Sequence, residues 1–395
     1  MSRQLISRNS ELQRLINEGY DIEIRSNYLL IHSVPYVTST KQVSRGVIVS
    51  ELTMATPDVL GRPSTHQVHF IGEHPCKADG TDLVQIRSQS GEFKLDEGIV
   101  AQHHFSNKPR CGYYESYYEK ITSYVRVISS QAKALDPSAD ARTFRTREPI
   151  EEDSVFLYQD TASSRAGIQR LALRFRQQRI AIVGLGGTGS YVLDLVAKTH
   201  AAEIHLFDAD LLRPHNAFRV PGAISRKTLD LGITKVKYLS EYYSTMRRGV
   251  VPHEVMIDEE NVMELAAFDY VFLCVDRSEV RQLVLHAIAS TGVTAIDVGM
   301  GLNLSHDQES IWGTCRVTAS TPSTRDIALA RIPKADRDEE IYASNIQVAD
   351  FNCLNAALAV AKWKRMSGFY LDDHAEYETT FSVNLNQLSR LEPPR

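Results

Sequence analysis

Residues 179 to 219 read RIAIVGLGGTGSYVLDLVAKTHAAEIHLFDADLLRPHNAFR, and this stretch organises the rest of the chain. Its first apolar run, Ile180 to Val183, is too short for a helix and rich in β-branched residues, which predicts a buried strand. Gly184, Gly186, Gly187 and Gly189 follow, with Thr188 and Ser190 beside the last of them. Such glycines let the backbone turn tightly and leave no Cβ to hold a phosphate away from the amides. Val192, Leu193, Val196 and Ala197 then recur at helical spacing, so the glycines lie at a helix N-terminus, where free N–H groups and the dipole favour an anion. A second strand, Glu203 to Phe207, ends in Asp208, nineteen residues after Gly189. A doubly wound fold places an acid there for a ribose hydroxyl. The stretch predicts a nucleotide site.

Glycines in this pattern suit NAD, FAD or ATP equally. The residues that follow separate these. Asp208 and Asp210 are succeeded by Asn216 and Arg219, then by Lys235 in DLGITK, then by Asp276 in YVFLCVD. A dinucleotide oxidoreductase leaves Asn216, Arg219, Lys235 and Asp276 unexplained, whereas chemistry at the phosphates of ATP needs cations and a hard oxygen ligand. A non-catalytic module that binds ATP and partner proteins keeps the same residues, and it stays open beside the oxidoreductase.

Taken as a set, Gly184 to Ser190, Asp208 with Asp210, Asn216 with Arg219, Gly232 with Lys235, and Asp276 resemble the ThiF/MoeB family, the adenylating fold shared with ubiquitin-activating enzymes. The resemblance covers roughly residues 162 to 370. Two positions depart from the family pattern: Val220 stands where a Gln is usual, and Asp276 lies in Val275-Asp276-Arg277 in place of T-D-N. The resemblance implies a Rossmann-like α/β domain over 164–395 and ATP and Mg²⁺ as cofactors. It further implies transfer of AMP to the C-terminal carboxylate of a ubiquitin-like or sulfur-carrier protein ending in Gly, with release of pyrophosphate. On the same ground the glycine loop with Asp208 and Asp210 holds the nucleotide, Asn216, Arg219 and Lys235 stabilise the phosphates, and Asp276 binds Mg²⁺. Arg165 matches a family Arg that reaches the phosphates of a partner subunit, and Arg281 one that orients the site. A homodimer is expected. For Asp276 the plainer alternative is a helix N-cap, worth about 1 kcal/mol.

The rest of the chain fits an ordinary two-domain protein. Its 395 residues are 43% hydrophobic and 24% charged, with a net charge of −5 that gives no nucleic-acid footprint. The N-terminal residues lack a signal-peptide core, and no apolar run approaches the roughly 20 residues of a membrane span. Five cysteines, odd in number and without a C-x-x-C pair, argue against a disulfide scaffold or a Cys₄ zinc site. A cytoplasmic protein is expected.

Residues 1–130 predict an α+β domain of unrecognised type that serves partner or substrate recognition, and 131–163 a linker that includes the acidic REPIEEDS. Residues 164 to 178 predict a basic amphipathic helix. The polar stretch 321–345 has the position of the family's crossover loop, ahead of a long apolar helix from Ile346 to about Met366. His66, His69, His74 and Cys76, with His103, His104 and Cys111, gather borderline metal ligands in two stretches of the first domain, although histidine is common in plain loops and cores. No cysteine lies between Arg316 and Asn352, so an obligatory thioester on the adenylating domain is not expected. Cys274 falls in a strand, Cys353 reads as a packing residue, and Cys315 is the remaining nucleophile to test.

Overall fold

The computed structural model describes residues 5–6, 8–56, 59–146, 154–331 and 346–393. It divides into two units, 1–154 with 158–167, and 155–157 with 168–395.

The first unit opens with α1 (Ser10–Asn17), which buries Leu12, Leu15 and Ile16. Strands β1 (Ile22–Arg25), β2 (Tyr28–Val37), β3 (Val43–Glu51), β4 (Met54–Thr56), β5 (Val59–Leu60), β6 (Gln67–Ile71), β7 (Arg87–Asp96) and β8 (Ile99–Ser106) follow. Six of them form one antiparallel sheet in the order β1-β2-β3-β6-β8-β7, and β4 pairs with β5. Helix α2 (Tyr117–Leu135) is started by Ser116, whose side chain accepts from the Glu119 N–H, and it buries Tyr117, Ile121, Tyr124, Val125 and Ile128. That spacing is one apolar helix face, and it packs with α1 and β2 into the core of the unit. The buried tyrosines keep their hydroxyls satisfied: Tyr117 donates to the Glu51 carbonyl at 3.0 Å and Tyr124 to the His66 carbonyl at 2.7 Å.

Two expectations for the connection are corrected. Residues 131–135 complete α2, Ala139 and Ala141 are buried, and 158–167 cluster with the first unit, so most of the described part of 131–163 is not a free linker. Residues 147–153 lie outside the described residues. The basic helix expected over 164–178 is also interrupted. Helix α3 (Thr161–Ala166) ends at Gly167 in the left-handed conformation, and only the short α4 (Gln169–Ala172) and a 3₁₀ turn (Leu173–Phe175) follow. Glycine is the residue that stops a helix this way.

The second unit is a mixed α/β fold on an eight-stranded sheet. Its elements are β9 (Arg179–Val183), α5 (Gly187–Ala197), β10 (Glu203–Phe207), α6 (Pro214–Ala217), α7 (Arg226–Leu229), α8 (Lys235–Ser244) and β11 (Val250–His253). They continue with β12 (Tyr270–Leu273), α9 (Ser278–Ala287), β13 (Thr294–Leu304), β14 (Ile311–Ser320), α10 (Arg325–Arg331), α11 (Ala349–Met366), β15 (Glu378–Ser382) and β16 (Gln387–Leu391). The sheet order is β11-β10-β9-β12-β13-β14-β15-β16, parallel as far as β13 and antiparallel beyond it.

Both faces of the parallel half are covered. Ile180, Ile182, Leu206 and Phe272 point to α5, α8 and α11, and Ala181, Val183, Val271 and Leu273 to α9 and the 3₁₀ turn Val262–Ala267. Each such fully buried side chain contributes about 1.5–3 kcal/mol relative to exposure. Strand order reverses between β9 and β12, which opens a crevice at their carboxyl ends. In the stretch expected as a crossover loop, 325–331 are helical and Arg325 is buried, donating to the Val293 carbonyl at 2.8 Å. Residues 332–345 lie outside the described residues.

Candidate active site

The crevice between the ends of β9 and β12 holds a cavity of about 340 Å³, within the range of small-molecule sites. Gly184, Gly186, Gly187 and Thr188 form one wall. Gly184 sits at φ +88°, and a Cβ there would press on the Cys274 carbonyl; a Cβ on Gly189 would collide with the Gly184 carbonyl. Beside Gly186 the space is open. The loop is thus packed tightly behind and bare in front, and the first amides of α5, which have no intrahelical partner, lie beside it. Gly189 and Ser190 do not line the cavity as expected. Gly189 faces the loop's own backbone, and Ser190 is buried and donates to the Gly187 carbonyl at 2.7 Å.

Asp208 ends β10 and is buried. Its Oδ2 accepts from the Leu185 N–H at 2.7 Å and its Oδ1 from the Asp210 N–H at 2.8 Å. Lys235 Nζ lies 3.3 Å from both Asp208 oxygens and 2.6 Å from Asp210 Oδ2. Lys235, the first residue of α8, is therefore held by two aspartates in addition to lining the cavity, a role that sequence reading did not assign. Asn216 lines the same wall, but its Oδ1 accepts from the Arg213 N–H at 2.9 Å. Only its amide N–H groups remain for an anion.

Arg219 also lines the cavity, half-buried, with Nη1 donating to Gln347 Oε1 at 3.1 Å and a buried Nε that has no partner among the described residues. Burial pushes its guanidinium below the usual range, opposed by the charge of Asp276. Asp276 follows β12, is exposed at the cavity and accepts no hydrogen bond among the described residues. Helix α9 is capped by Arg277 and starts at Ser278, so the N-cap alternative for Asp276 falls away. Arg281 explains how Asp276 is held. It donates through Nε to the Val275 carbonyl at 2.9 Å and through Nη2 to the same oxygen, which fixes the peptide that leads into Asp276. Arg281 is braced by the fully buried Asp297, which also takes Arg316 Nη2 at 2.9 Å.

These residues fit the groups that the motifs imply. Asp276 offers a hard oxygen ligand of the kind Mg²⁺ takes, with no hydrogen bond accepted among the described residues, and the open face of Gly186 with the N-terminus of α5 suits a polyphosphate. Sequence reading missed His215, Met256, Ile257, Arg277 and Gln347, which complete the lining. His215 lies one helical turn before Arg219, a signal that was available. Gln347 lies beyond the polar stretch and carries no local pattern. The two departures from the family have local explanations: Val220 is buried in the fold, and Arg277 pairs with Glu279 at 3.2 Å. Arg165 belongs to α3 of the first unit and is not among the cavity residues.

The cysteines and histidines are placed as follows. Cys274 lies at the cavity floor with its thiol pushed up to about 12 by desolvation, and Cys315 is fully buried and pushed up to about 11. Neither is a ready nucleophile. Cys353, expected to pack, is exposed on α11. In the first unit the His69 ring lies tilted beside His104 and His74 meets His103 edge-on, with ring centroids 4.8 and 5.2 Å apart. Among the described residues no group of three or more His, Cys, Asp or Glu could hold a metal ion, and no helix is long and apolar enough to cross a membrane.

Residues 10–161 match a domain of unknown function, DUF6791. The chain is 27% identical over 174 residues to ubiquitin-like modifier-activating enzyme 5 of Aedes aegypti, covering 40% of this chain and 44% of that protein. It is 23% identical over 133 residues to the adenylyltransferase and sulfurtransferase UBA4 of Saccharomyces cerevisiae (strain YJM789), covering 33% and 30%. The chain thus spans less than half the length of the curated relatives it matches. Among solved structures, E. coli MccB with MccA-N7isoASN gives a TM-score of 0.47 at 14% identity, covering 60% of this chain and 70% of that one. TcdA (CsdL) gives 0.41 at 15%, covering 52% and 92%. The ThiF family model matches residues 105–342, more than half of the chain and reaching into the first unit, and with the glycine loop, paired aspartates and Asp276 gathered on one crevice, the chain belongs to the ThiF family.

Proposed function

We propose that the second unit binds ATP with Mg²⁺ and transfers AMP to the C-terminal carboxylate of a small ubiquitin-like or sulfur-carrier protein, releasing pyrophosphate. The observation that carries this reading is the convergence of Arg219, Lys235 and the unengaged Asp276 on the cavity of the glycine loop. A carboxylate resists nucleophiles because its leaving group would be oxide. Attack by its oxygen on the α-phosphate of ATP forms the acyl-adenylate and expels pyrophosphate, giving the acyl carbon a good leaving group.

In this reading the amides at the start of α5 hold the triphosphate, and Asp208 with Asp210 position the nucleotide while keeping Lys235 at the site. Arg219 brings a guanidinium whose buried Nε has no internal partner, so a phosphate oxygen completes it. Asp276 would hold Mg²⁺, which supplies charge neutralisation at the phosphates. Such fixed charges typically contribute on the order of 10²–10³ each in rate. The first unit recognises a partner, and the cytoplasmic chain works as a homodimer.

The test is ATP–pyrophosphate exchange in the presence of small carrier proteins with a C-terminal Gly. Carrier-dependent exchange is expected. Tight NAD binding without an ATP-induced rise in melting temperature would overturn the reading, and ATP binding without exchange for any such carrier would reduce the unit to a nucleotide-binding module.

A further inference from the structure

Helix α11 carries Asn352 and Asn355, both fully buried, on the face that packs against α5 and β13. Asn355 Nδ2 donates to the Gly299 carbonyl at 3.1 Å. Each amide keeps one atom unpaired among the described residues, Oδ1 in Asn355 and Nδ2 in Asn352. The Oδ1 of Asn352 accepts from the hydroxyl of Thr188 at 2.9 Å. A Cβ on Gly187 would collide with that amide, so the glycine is what admits Asn352 to the loop. An orphaned buried N–H donor is rare and costly. Thr188, meanwhile, lines the cavity, with its only hydroxyl proton turned away from it.

A carboxamide turned by 180° about its last side-chain bond keeps its shape and exchanges donor for acceptor. In that orientation Nδ2 donates to Thr188 Oγ1 and the hydroxyl proton is released toward the cavity, while Oδ1 takes the buried place that Nδ2 leaves, so the turn is favoured only when the freed proton meets a ligand. We propose that Asn352 is a positioning residue that switches Thr188 between two hydrogen-bonding states. Without a ligand, Thr188 donates to Asn352. With a polyphosphate, the amide turns, donates to Thr188 Oγ1, and Thr188 gives its proton to a phosphate oxygen. No bond is broken, and one hydroxyl donor passes from Asn352 to the ligand. The proposal rests on the ATP reading of the cavity, which places phosphates beside Thr188.

Asn352→Asp separates this switch from a simple clamp, because a carboxylate only accepts and so retains the Thr188 proton. ATP and adenosine binding are measured by calorimetry for the full chain and for Asn352→Asp, Asn352→Ala, Thr188→Val and Thr188→Ser, with melting temperatures as the fold check. Hydrogen bonds to charged groups correspond to a loss of about tenfold or more. Asn352→Asp and Thr188→Val are expected to weaken ATP by that factor and to leave adenosine unchanged. Asn352→Ala, which leaves the hydroxyl free to turn, is expected to lose less, and Thr188→Ser to bind ATP more tightly than Thr188→Val. The double variant Asn352→Asp/Thr188→Val is expected to bind ATP no worse than either single change. Additive losses in the double variant, Asn352→Ala as weak as Asn352→Asp, or an equal loss of adenosine would overturn the switch. Absence of ATP binding in the unaltered chain would overturn the functional reading, and the switch with it.

Discussion

In the first unit Lys120 is fully buried, with its ammonium 2.9 Å from the neutral Ser50 hydroxyl and 6.0 Å from the centre of the Tyr117 ring. In the second, the comparably buried Lys235 lies between the carboxylates of Asp208 and Asp210, at the edge of a cavity. In the first unit the buried Lys120, Tyr117 and Tyr124 meet hydroxyls and carbonyls, while its ion pairs, such as Arg87 with Asp82 and Arg142 with Asp140, lie toward the surface. The second places a buried cation between carboxylates at the cavity and leaves the exposed Asp276 without a hydrogen bond among the described residues. A buried cation on a neutral hydroxyl carries a desolvation cost that the charge of Glu51 only partly offsets. A cation held among carboxylates beside a cavity keeps its charge where a ligand can use it. The difference locates chemistry in the second unit more firmly than any single residue does.

The largest effect expected from that difference is at Asp276. Asp276→Ala should lower carrier-dependent pyrophosphate exchange by about 10²–10³. The residue is exposed and accepts no hydrogen bond among the described residues, so the melting temperature should stay unchanged. A large loss of stability in thermal melts would place Asp276 among the structural charges and erase the contrast.

Lys235→Met probes the other half. It leaves Asp208 buried and facing Asp210 without a cation, and breaking a buried pair from one side costs about 3–5 kcal/mol. Since Asp210 is largely exposed, the lower figure is expected in denaturant unfolding, together with loss of ATP binding. Unfolding unchanged within 0.5 kcal/mol, roughly the range of neutral surface substitutions, would show that the pair does not hold the loop.

Lys120→Met should act in the opposite direction. Burial lowers the Lys120 ammonium from 10.5 to about 8, only partly opposed by Glu51. The unfolded chain then holds this proton more tightly, so stability rises with pH between about 8 and 10.5 and the penalty is fully present below 8. At about 1.36 kcal/mol per pH unit this is up to roughly 3 kcal/mol. Met fills similar volume without charge, so the variant should be more stable at pH 7 and should lose that rise. Equal stability curves for the two proteins would show that the buried ammonium is better compensated than its single hydroxyl partner implies.

What the sequence made legible follows the range of the interactions. Gly184 to Gly187, Asp208 and Asp276 were readable because a strand, a turn and a helix start announce themselves within a few residues. The partners that tune them were not. Lys235 was readable as a cation but not as the partner of two aspartates, since β10 and α8 meet only in the fold. Asn352 and Gln347 come from beyond residue 345 and carry no motif. The break at Gly167 was visible in the sequence but outweighed by the basic, apolar pattern around it. The exposure of Cys353 was hidden because α11 looks apolar all round, and only packing decides which of its faces meets α5. In the first unit the strands between residues 21 and 53 and the helix near Tyr113 to Val127 were readable, whereas the stretch broken by Gly72, Gly80, Gly91 and Gly98 read as turns, and the pairing of His69 with His104 depends on the register of β6 against β8.

The smallest expected effect tests whether that histidine pairing belongs to the stability of the first unit. His69 lies beside His104 and near Phe93, with ring centroids 4.8 and 5.3 Å away. Desolvation, aided by His104 and Lys120, pushes its imidazole down to about 4. The unfolded chain therefore takes up this proton first, near pH 6.5, while the folded chain resists it. Stability is unaffected above 6.5 and declines as pH falls from there to about 4. His66, His74, His103 and His104 are lowered by burial as well, so the acid limb is shared among several groups. His69 is only partly buried, and solvent screening reduces its share to on the order of 1 kcal/mol. His69→Phe keeps a flat ring among Phe93 and His104 and removes the titration. Urea unfolding at pH 7 and pH 5 should then show a smaller acid loss than the unaltered chain, by about 1 kcal/mol at most. If the two proteins lose stability in parallel, His69 contributes nothing to the acid limb. The contrast between a buried lysine on a neutral hydroxyl and one held by carboxylates would then rest on Lys120 and Lys235 alone.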